Sequence, residues 1–436
     1  MTDFVEFLPR LKGKDVYFSL NKENPDWNES VGVELSFRHG GESLTLSLDD
    51  VDQSSYLASS LHHVLDGGNA LISWCAKDVF SFLKGRTGIG LELKGKIYDL
   101  SVISSYLGME ADKPKTFREA VALLKSCLSD PGWEQFKSFY FGVYEPLFSE
   151  VLPEIETCCL VDNKRRSCVY ATYVIEGQVN GRLRTVKTGR NSYNPHSMGP
   201  DDKRDIRPQD YDDVFLYFDY RNMEVNVLQW LSGDGDLARV LESGSDPYKE
   251  IWRIITRQEP TEGHRKICKD IFLPVVFGQG KSSLAAKLKI SEEIASRLIH
   301  SLGKTFPVAF DWVNSQSTNG NNTATDAFGR KRTFDGREQY KVKNFCIQSP
   351  ASMICLRKLV RLHEALASRA SICFHVHDGY YVLCKKSEIN SIAELGIRTL
   401  EEDDSMFPGL AMRVSCRAGD RLDDMRSITL TKRVSI

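Results

Sequence analysis

Three patterns in the sequence predict a mixed α/β (α+β) protein. Residues 14–50 alternate in the manner of strands, in "DVYFSL", "VGVELSFRHG" and "ESLTLSL". Residues 246–305 and 344–370 carry helix-period apolar patterns, the second in "PASMICLRKLVRLHEALASRA". Two further strands are marked by acids. The run "VFLYFDY" climbs to Asp219, and "SICFHVHDGYYVLC" alternates around a His377-Asp378-Gly379 turn and reads as a hairpin.

The other elements follow in order along the chain. "SSYLASSLHHVLDGG", "NALISWC" and "KDVFSFLKG" interleave helical patterns with short apolar runs. They predict a small α/β unit that ends near residue 110. Residues 115–157 read as helices, punctuated by Asp130-Pro131-Gly132. Residues 164–207 hold ten Lys/Arg against four acids, mixed with Tyr, Asn, Gly and Thr. Such a run is either a solvated face or a phosphate-contacting surface, and composition leaves both open. Residues 306–343 read as polar loop, and the tail after the hairpin has helical and strand character.

Composition sets the outer limits. A chain of 436 residues is long enough for about two to four domains or subdomains. Its 41% apolar and 27% charged content is that of an ordinary globular protein. The net charge of −2 excludes a global basic signal for nucleic acid, so any such surface is local. No run of about 18 apolar residues occurs, so no membrane span is expected. "MTDFVEFLPRLKGKD" lacks the apolar core of a signal peptide. Eleven scattered cysteines without a CxxC pair predict reduced, mostly buried thiols and no zinc site. The His62-His63 pair reads as helix surface.

Asp219 and Asp378 are the acids that invite a chemical reading. One carboxylate at a strand end is usually a turn or cap residue. Two at the ends of adjacent strands can hold a pair of divalent ions about 3.5–4 Å apart, the arrangement that stabilises an in-line phosphoryl displacement. A third element supports the pair. In "GHRKICKDIFLPVVFGQG", Arg265, Lys269, Leu273 and Phe277 recur every four residues and share one helix face. Two cations followed by two apolar groups suit a triphosphate and a flat base. Lys266 lies off this face. Pro274 should cost a helix hydrogen bond or kink the helix, and Gly278 and Gly280 should end it.

With those residues in view, the chain resembles a family A (polymerase I-like) DNA polymerase of minimal phage or plasmid type. "DYRNMEVNVLQWLSGD" is similar to the first motif of that family, Asp-Tyr-x-x-x-Glu ending in Leu-Ser-Gly-Asp. Arg265, Lys269, Phe277 and Gly278 match the second, and "VHDG" is similar to the third, His-Asp-Glu. "NGRLRTVKTGRNSYNP", "FGRKRTF" and "NFCIQSPASMI" resemble three connecting segments in the same order, and the set covers residues 170–420.

The resemblance implies a right-hand fold with an antiparallel palm sheet and helical fingers, preceded by an RNase H-like α/β domain of exonuclease type. It implies a degenerate 3′–5′ exonuclease-like domain at 1–110 and a reduced thumb-like region at 111–165. The palm would be 166–234 and 306–436, with fingers at 235–305. Asp219, Asp378 and the Tyr220 carbonyl would hold two Mg²⁺ ions, with Mn²⁺ as the alternative metal. Glu224 would lie under the sugar of the incoming dNTP and exclude a 2′-hydroxyl. Arg265 and Lys269 would bind the triphosphate, Lys269 also giving a proton to departing pyrophosphate. Leu273 and Phe277 would flank the base. Arg182, Asn344, Gln348 and His377 would touch primer–template DNA.

Departures from the pattern carry expectations of their own. Gly379 replaces the third-motif glutamate, and Leu273 and Phe277 replace aromatic residues of the second motif. In the N-terminal unit, Ser19 and Asn21 stand where the exonuclease needs acids, and Trp74 stands where Asn is usual. Only Asp78 and Asp99 remain, so proofreading is expected to be absent. The short thumb implies low processivity or a processivity or replisome partner. The expected setting is cytoplasmic, in a bacterial or virus-infected cell, with an organelle as the alternative. Two other functions compete. A single-subunit RNA polymerase would share the palm but not Glu224, and a catalytically inactive DNA-binding replication factor would fit Gly379.

Overall fold

A computed structural model of the chain describes residues 11, 14–21, 34–47, 70–87, 95–164, 167–176, 181–186 and 192–428. The whole of "SSYLASSLHHVLDGG", with the His62-His63 pair, and residues 180 and 187–191 of "NGRLRTVKTGRNSYNP" lie outside them. The chain divides into two compact units. The first comprises residues 1–220, 355–402 and 414–436, and the second residues 221–354 and 403–413.

Strands β1 (Val16–Asn21), β2 (Glu34–His39), β3 (Glu42–Ser47), β4 (Leu71–Ser73) and β5 (Ile97–Asp99) form one mixed sheet in the first unit, in the order β3-β2-β1-β4-β5. β1, β2 and β3 pair antiparallel, whereas β1, β4 and β5 run parallel, as a helix between β4 and β5 requires. Tyr17, Ile72, Leu100, Ala120 and Leu124 form its buried cluster. The helix Pro131–Phe139 widens into the π-turns Tyr140–Tyr144 and Leu147–Val151, where an aromatic every fourth residue stays buried. Beside them Lys77 donates to Glu156 at 2.9 Å, an ion pair buried on both sides.

β6 (Leu160–Asp162), β7 (Ser167–Glu176), β8 (Arg182–Val186) and β10 (Ile206–Pro208) make a second sheet, with β9 (Ser192–Tyr193) added parallel to β7. Cys159 and Cys168 are joined in a disulfide across the start of the β6–β7 pairing, which corrects the expectation that all thiols are reduced. The other nine cysteines are free, and seven of them are buried.

The third sheet belongs to the first unit as well. It contains β11 (Asp213–Tyr220). β12 (Thr323–Thr325) and β13 (Lys331–Thr333) pair only with each other, in the second unit. β14 (Ser371–Val376), β15 (Gly379–Lys385), β16 (Val414–Gly419) and β17 (Arg426–Ser427) complete the third sheet in the order β14-β15-β11-β16-β17. All of its pairings are antiparallel. β11 is central and buried over most of its length, so it reads as a nearly continuous apolar run. The helix Ile389–Glu401 packs on it so closely that a Cβ on Gly396 would lie 2.4 Å from Cζ of Phe218.

The second unit is mostly helical. Asp234 is fully buried and accepts from the amides of Leu237 and Ala309 at 2.9 and 2.8 Å, thereby capping one helix and tying it to the start of another. The helix Glu262–Val276 runs through Pro274 without ending. Proline leaves the Asp270 carbonyl without its helical donor, and the Lys287 ammonium donates to that carbonyl at 3.0 Å. Two expectations are corrected here. Residues 306–343 contain the helix Pro307–Ser315 and the β12–β13 ladder, and the helix Val342–Leu366 begins eight residues before Pro350. No helix among the described residues is long and apolar enough to cross a membrane.

Candidate catalytic site

The third sheet sets Asp219 and Asp378 side by side. Asp219 pairs with Gly379 on β15 and with Ser415 on β16. Asp378 precedes Gly379 in the two-residue turn between β14 and β15, where His377 takes the left-handed conformation at φ 57°. The Tyr220 amide points to the Asp378 carbonyl at 3.4 Å. Both carboxyl groups are half-buried, at the end of a rigid ladder. Among the described residues no three His, Cys, Asp or Glu side chains gather as a metal-binding group. The oxygen donors at this edge are therefore two carboxylates and backbone carbonyls, a hard set suited to Mg²⁺ or Mn²⁺.

Sequence reasoning missed three residues around Asp219. The Tyr217 hydroxyl donates to Asp219 Oδ1 at 3.0 Å, the Arg417 guanidinium lies 3.9 Å from Oδ2, and the Ser415 hydroxyl donates to the Asp219 carbonyl at 3.3 Å. Strand period would have found Tyr217, two positions before Asp219 and on its face. Burial and the neighbouring Asp219 push the Tyr217 phenol far up, so it stays a donor.

His377 is exposed, and its ring meets that of His196 edge-on at 5.0 Å. Burial, then the facing His377, push His196 down to about 4. Arg182 and Arg184 on β8 add to that effect, so Arg182 and His377 lie within electrostatic reach of one histidine. His375 is fully buried and stacks on Tyr380, and burial pushes it down to about 3.

The second unit carries the other candidates. Glu224 is half-buried in the first turn of the helix Met223–Ser232, which opens on Asn222 at φ 57°. On the helix Glu262–Val276, the buried side is Cys268, Ile271, Phe272, Val275 and Val276. Arg265, Lys269 and Leu273 run along the flank of that buried side, Arg265 and Leu273 partly exposed and Lys269 exposed, and Phe277 follows as the C-cap rather than as a helical residue. Leu273 and Phe277 are thus not core residues. Arg265 donates through Nε to Asp246 Oδ2 at 2.7 Å and lies over the Tyr248 ring at 5.8 Å. Nothing in the spacing pointed to Asp246. Asn344 and Gln348 are half-exposed, one turn apart on the helix Val342–Leu366.

The acids left in the N-terminal unit are engaged otherwise. Asp99 is buried and accepts from the amides of Ala76, Ser101 and Val102, capping the helix Leu100–Tyr106. Asp78 pairs with Lys77 at 3.1 Å, and Ser19 accepts from Arg38 at 3.0 Å. A cavity of about 340 Å³ there is lined in part by Trp74, Cys75, Lys77, Asp78 and Asp99.

The family model described as DNA polymerase family A matches residues 149–424. The DNA polymerase of Mycobacterium phage L5 is 29% identical over 155 residues, covering 35% of this chain and 25% of that protein. DNA polymerase I of Chloroflexus aurantiacus is 23% identical over 294 residues, covering 62% of this chain and 30% of that protein. The chain thus spans about a quarter to a third of the length of these curated relatives. Among solved structures, the POL domain of Pol1 from M. smegmatis, in complex with DNA primer-template and dNTP, matches with a TM-score of 0.72 at 14% identity. That match covers 96% of this chain and 97% of that one. At that identity the likeness establishes the fold.

Proposed function

The chain belongs to DNA polymerase family A, and from that premise we propose that it is a template-directed DNA polymerase extending a primer 3′ end with dNTPs. The observation that carries the reading is the juxtaposition of Asp219 and Asp378 at one end of the β11–β15 ladder. Their carboxylates, with the Tyr220 carbonyl, fit two Mg²⁺ ions. When bound, such ions would supply charge neutralisation for an in-line phosphoryl displacement.

The chain's own residues then do the positioning. Asp219, on β11, and Asp378, in the turn that leads into β15, are held by the continuous pairing of those two strands. Arg265 and Lys269 meet the triphosphate, and the Lys269 ammonium gives its proton to departing pyrophosphate. Leu273 and Phe277 offer a flat apolar surface to the base, and Glu224 occupies the space a 2′-hydroxyl would need. Arg182, Asn344, Gln348 and His377 engage the primer–template.

The four-part division into exonuclease-like, thumb-like, palm and fingers regions belongs to the same proposal. So does the absence of proofreading, supported by the commitment of Asp99 to capping and of Asp78 to Lys77. A processivity partner is proposed for the short thumb-like region.

Primer extension tests the reading. A labelled primer–template with Mg²⁺ should be extended with dNTPs and not with rNTPs, and extension should vanish in Asp378→Ala. DNA binding without extension in Mg²⁺ or Mn²⁺ would make the chain a non-catalytic replication factor.

A further inference from the structure

We propose that Tyr217 is a positioning residue for Asp219, and that position 379 is glycine to make room for it. The inference rests on the polymerase reading for the role of Asp219, but its geometry stands alone. Tyr217 and Asp219 share a face of β11, and the Tyr217 hydroxyl donates to Asp219 Oδ1 at 3.0 Å. The ring lies across Gly379. A Cβ there would stand 2.5 Å from Cε2, 2.6 Å from the hydroxyl oxygen and 2.8 Å from Cζ of Tyr217.

No side chain fits at 379 while the ring is in place. The backbone itself does not call for glycine, because Gly379 is an ordinary strand residue and is absent from the left-handed glycines of the chain. The demand comes from the ring.

The ring in turn is held. Tyr381 stacks on it with centroids 4.2 Å apart, and the Arg417 guanidinium lies 4.9 Å from its centroid. Arg417 also lies 3.9 Å from Asp219 Oδ2. One assembly of Tyr217, Tyr381 and Arg417 therefore addresses both oxygens of Asp219. A hydrogen bond to a ligand carboxylate fixes its rotamer, and such partners tune metal affinity.

The resemblance has a glutamate at position 379, and this chain cannot hold a glutamate and the Tyr217 ring together. The two solutions exclude each other. The chain has exchanged a third charged group beside the aspartates for a neutral donor that orients one of them.

The test uses the full chain bound to primer–template DNA, with Mn²⁺ binding followed by electron paramagnetic resonance and extension followed across a Mg²⁺ titration. Tyr217→Phe keeps the ring and removes the hydroxyl. Its Mn²⁺ dissociation constant and half-maximal Mg²⁺ concentration should both rise about 10- to 100-fold, with the KM for dNTP within about twofold of wild type. Gly379→Glu alone should be inactive, and combining it with Tyr217→Ser should restore activity above that of Tyr217→Ser. Unchanged Mn²⁺ affinity in folded Tyr217→Phe overturns the proposal. If the wild type binds Mn²⁺ but never extends a primer, the polymerase reading falls, and the Mn²⁺ comparison still decides the role of Tyr217.

Discussion

Asp378 lies beside Asp219 because its neighbour Gly379 is the residue paired with Asp219 across the ladder. The relationship is set by register rather than by a loop. Replacing Asp378 with alanine should therefore leave the hairpin and DNA binding nearly intact while lowering nucleotide addition by at least about a thousandfold. Single-turnover extension and a DNA-binding isotherm on the same preparation check both halves.

Glu224 sits in the first turn of a helix whose buried side is made by its neighbours. Glu224→Ala should cost little stability and raise the ratio of ribonucleotide to deoxynucleotide incorporation about tenfold or more. Competing dNTP and rNTP at a single template position measures the ratio. An unchanged ratio removes Glu224 from the sugar-discriminating role.

Arg265 is held by Asp246, which also accepts from the amides of Tyr248 and Lys249 as a helix cap. An incoming triphosphate has to compete with that carboxylate. Asp246→Asn retains the cap and weakens the competition. The KM for dNTP should fall about two- to fivefold. Stability should change by less than about 1 kcal/mol, because the pair is partly exposed. Arg265→Ala should move KM the other way. Steady-state kinetics on both variants separate the outcomes.

His375 gives the fold a pH dependence of definite sign. Its folded value of about 3 lies below the ordinary histidine value of about 6.5. Between those limits the unfolded chain binds a proton that the folded chain does not, so stability falls as pH falls from 6.5 toward 3. From pH 7 to pH 5 the loss from this residue is roughly 2 kcal/mol. His196, at about 4, works in the same direction. His375→Gln should flatten the acid limb by about that amount in urea denaturation at the two pH values.

Much of this arrangement was readable from periodicity. The strand that carries Asp219 near its end, the hairpin tipped by Asp378 and the four-residue recurrence from Arg265 to Leu273 are local patterns, and each forms a local element. What stayed hidden depends on pairing between distant segments. Spacing does not encode the register that joins Cys159 to Cys168, nor the partnership of Asp246 with Arg265. The helix Pro307–Ser315 leaves no clear helical signal in the sequence because it is short and runs straight into a polar stretch. Tyr217 was in plain sight two residues before Asp219, but only the ladder shows that Gly379 leaves its ring a place.

The buried carboxylate of Asp234 has a bearing on how such a chain can change. It reaches the Ala309 amide across a separation of 75 residues, so the stretch between them leaves and returns to a single side chain. Both stems are stapled whatever lies between. Since each doubling of loop length adds only about 0.6 kcal/mol of closure entropy, this lobe can be enlarged, trimmed or exchanged with its anchorage unchanged. Asp234 marks the seam along which a lineage can swap one such lobe for another.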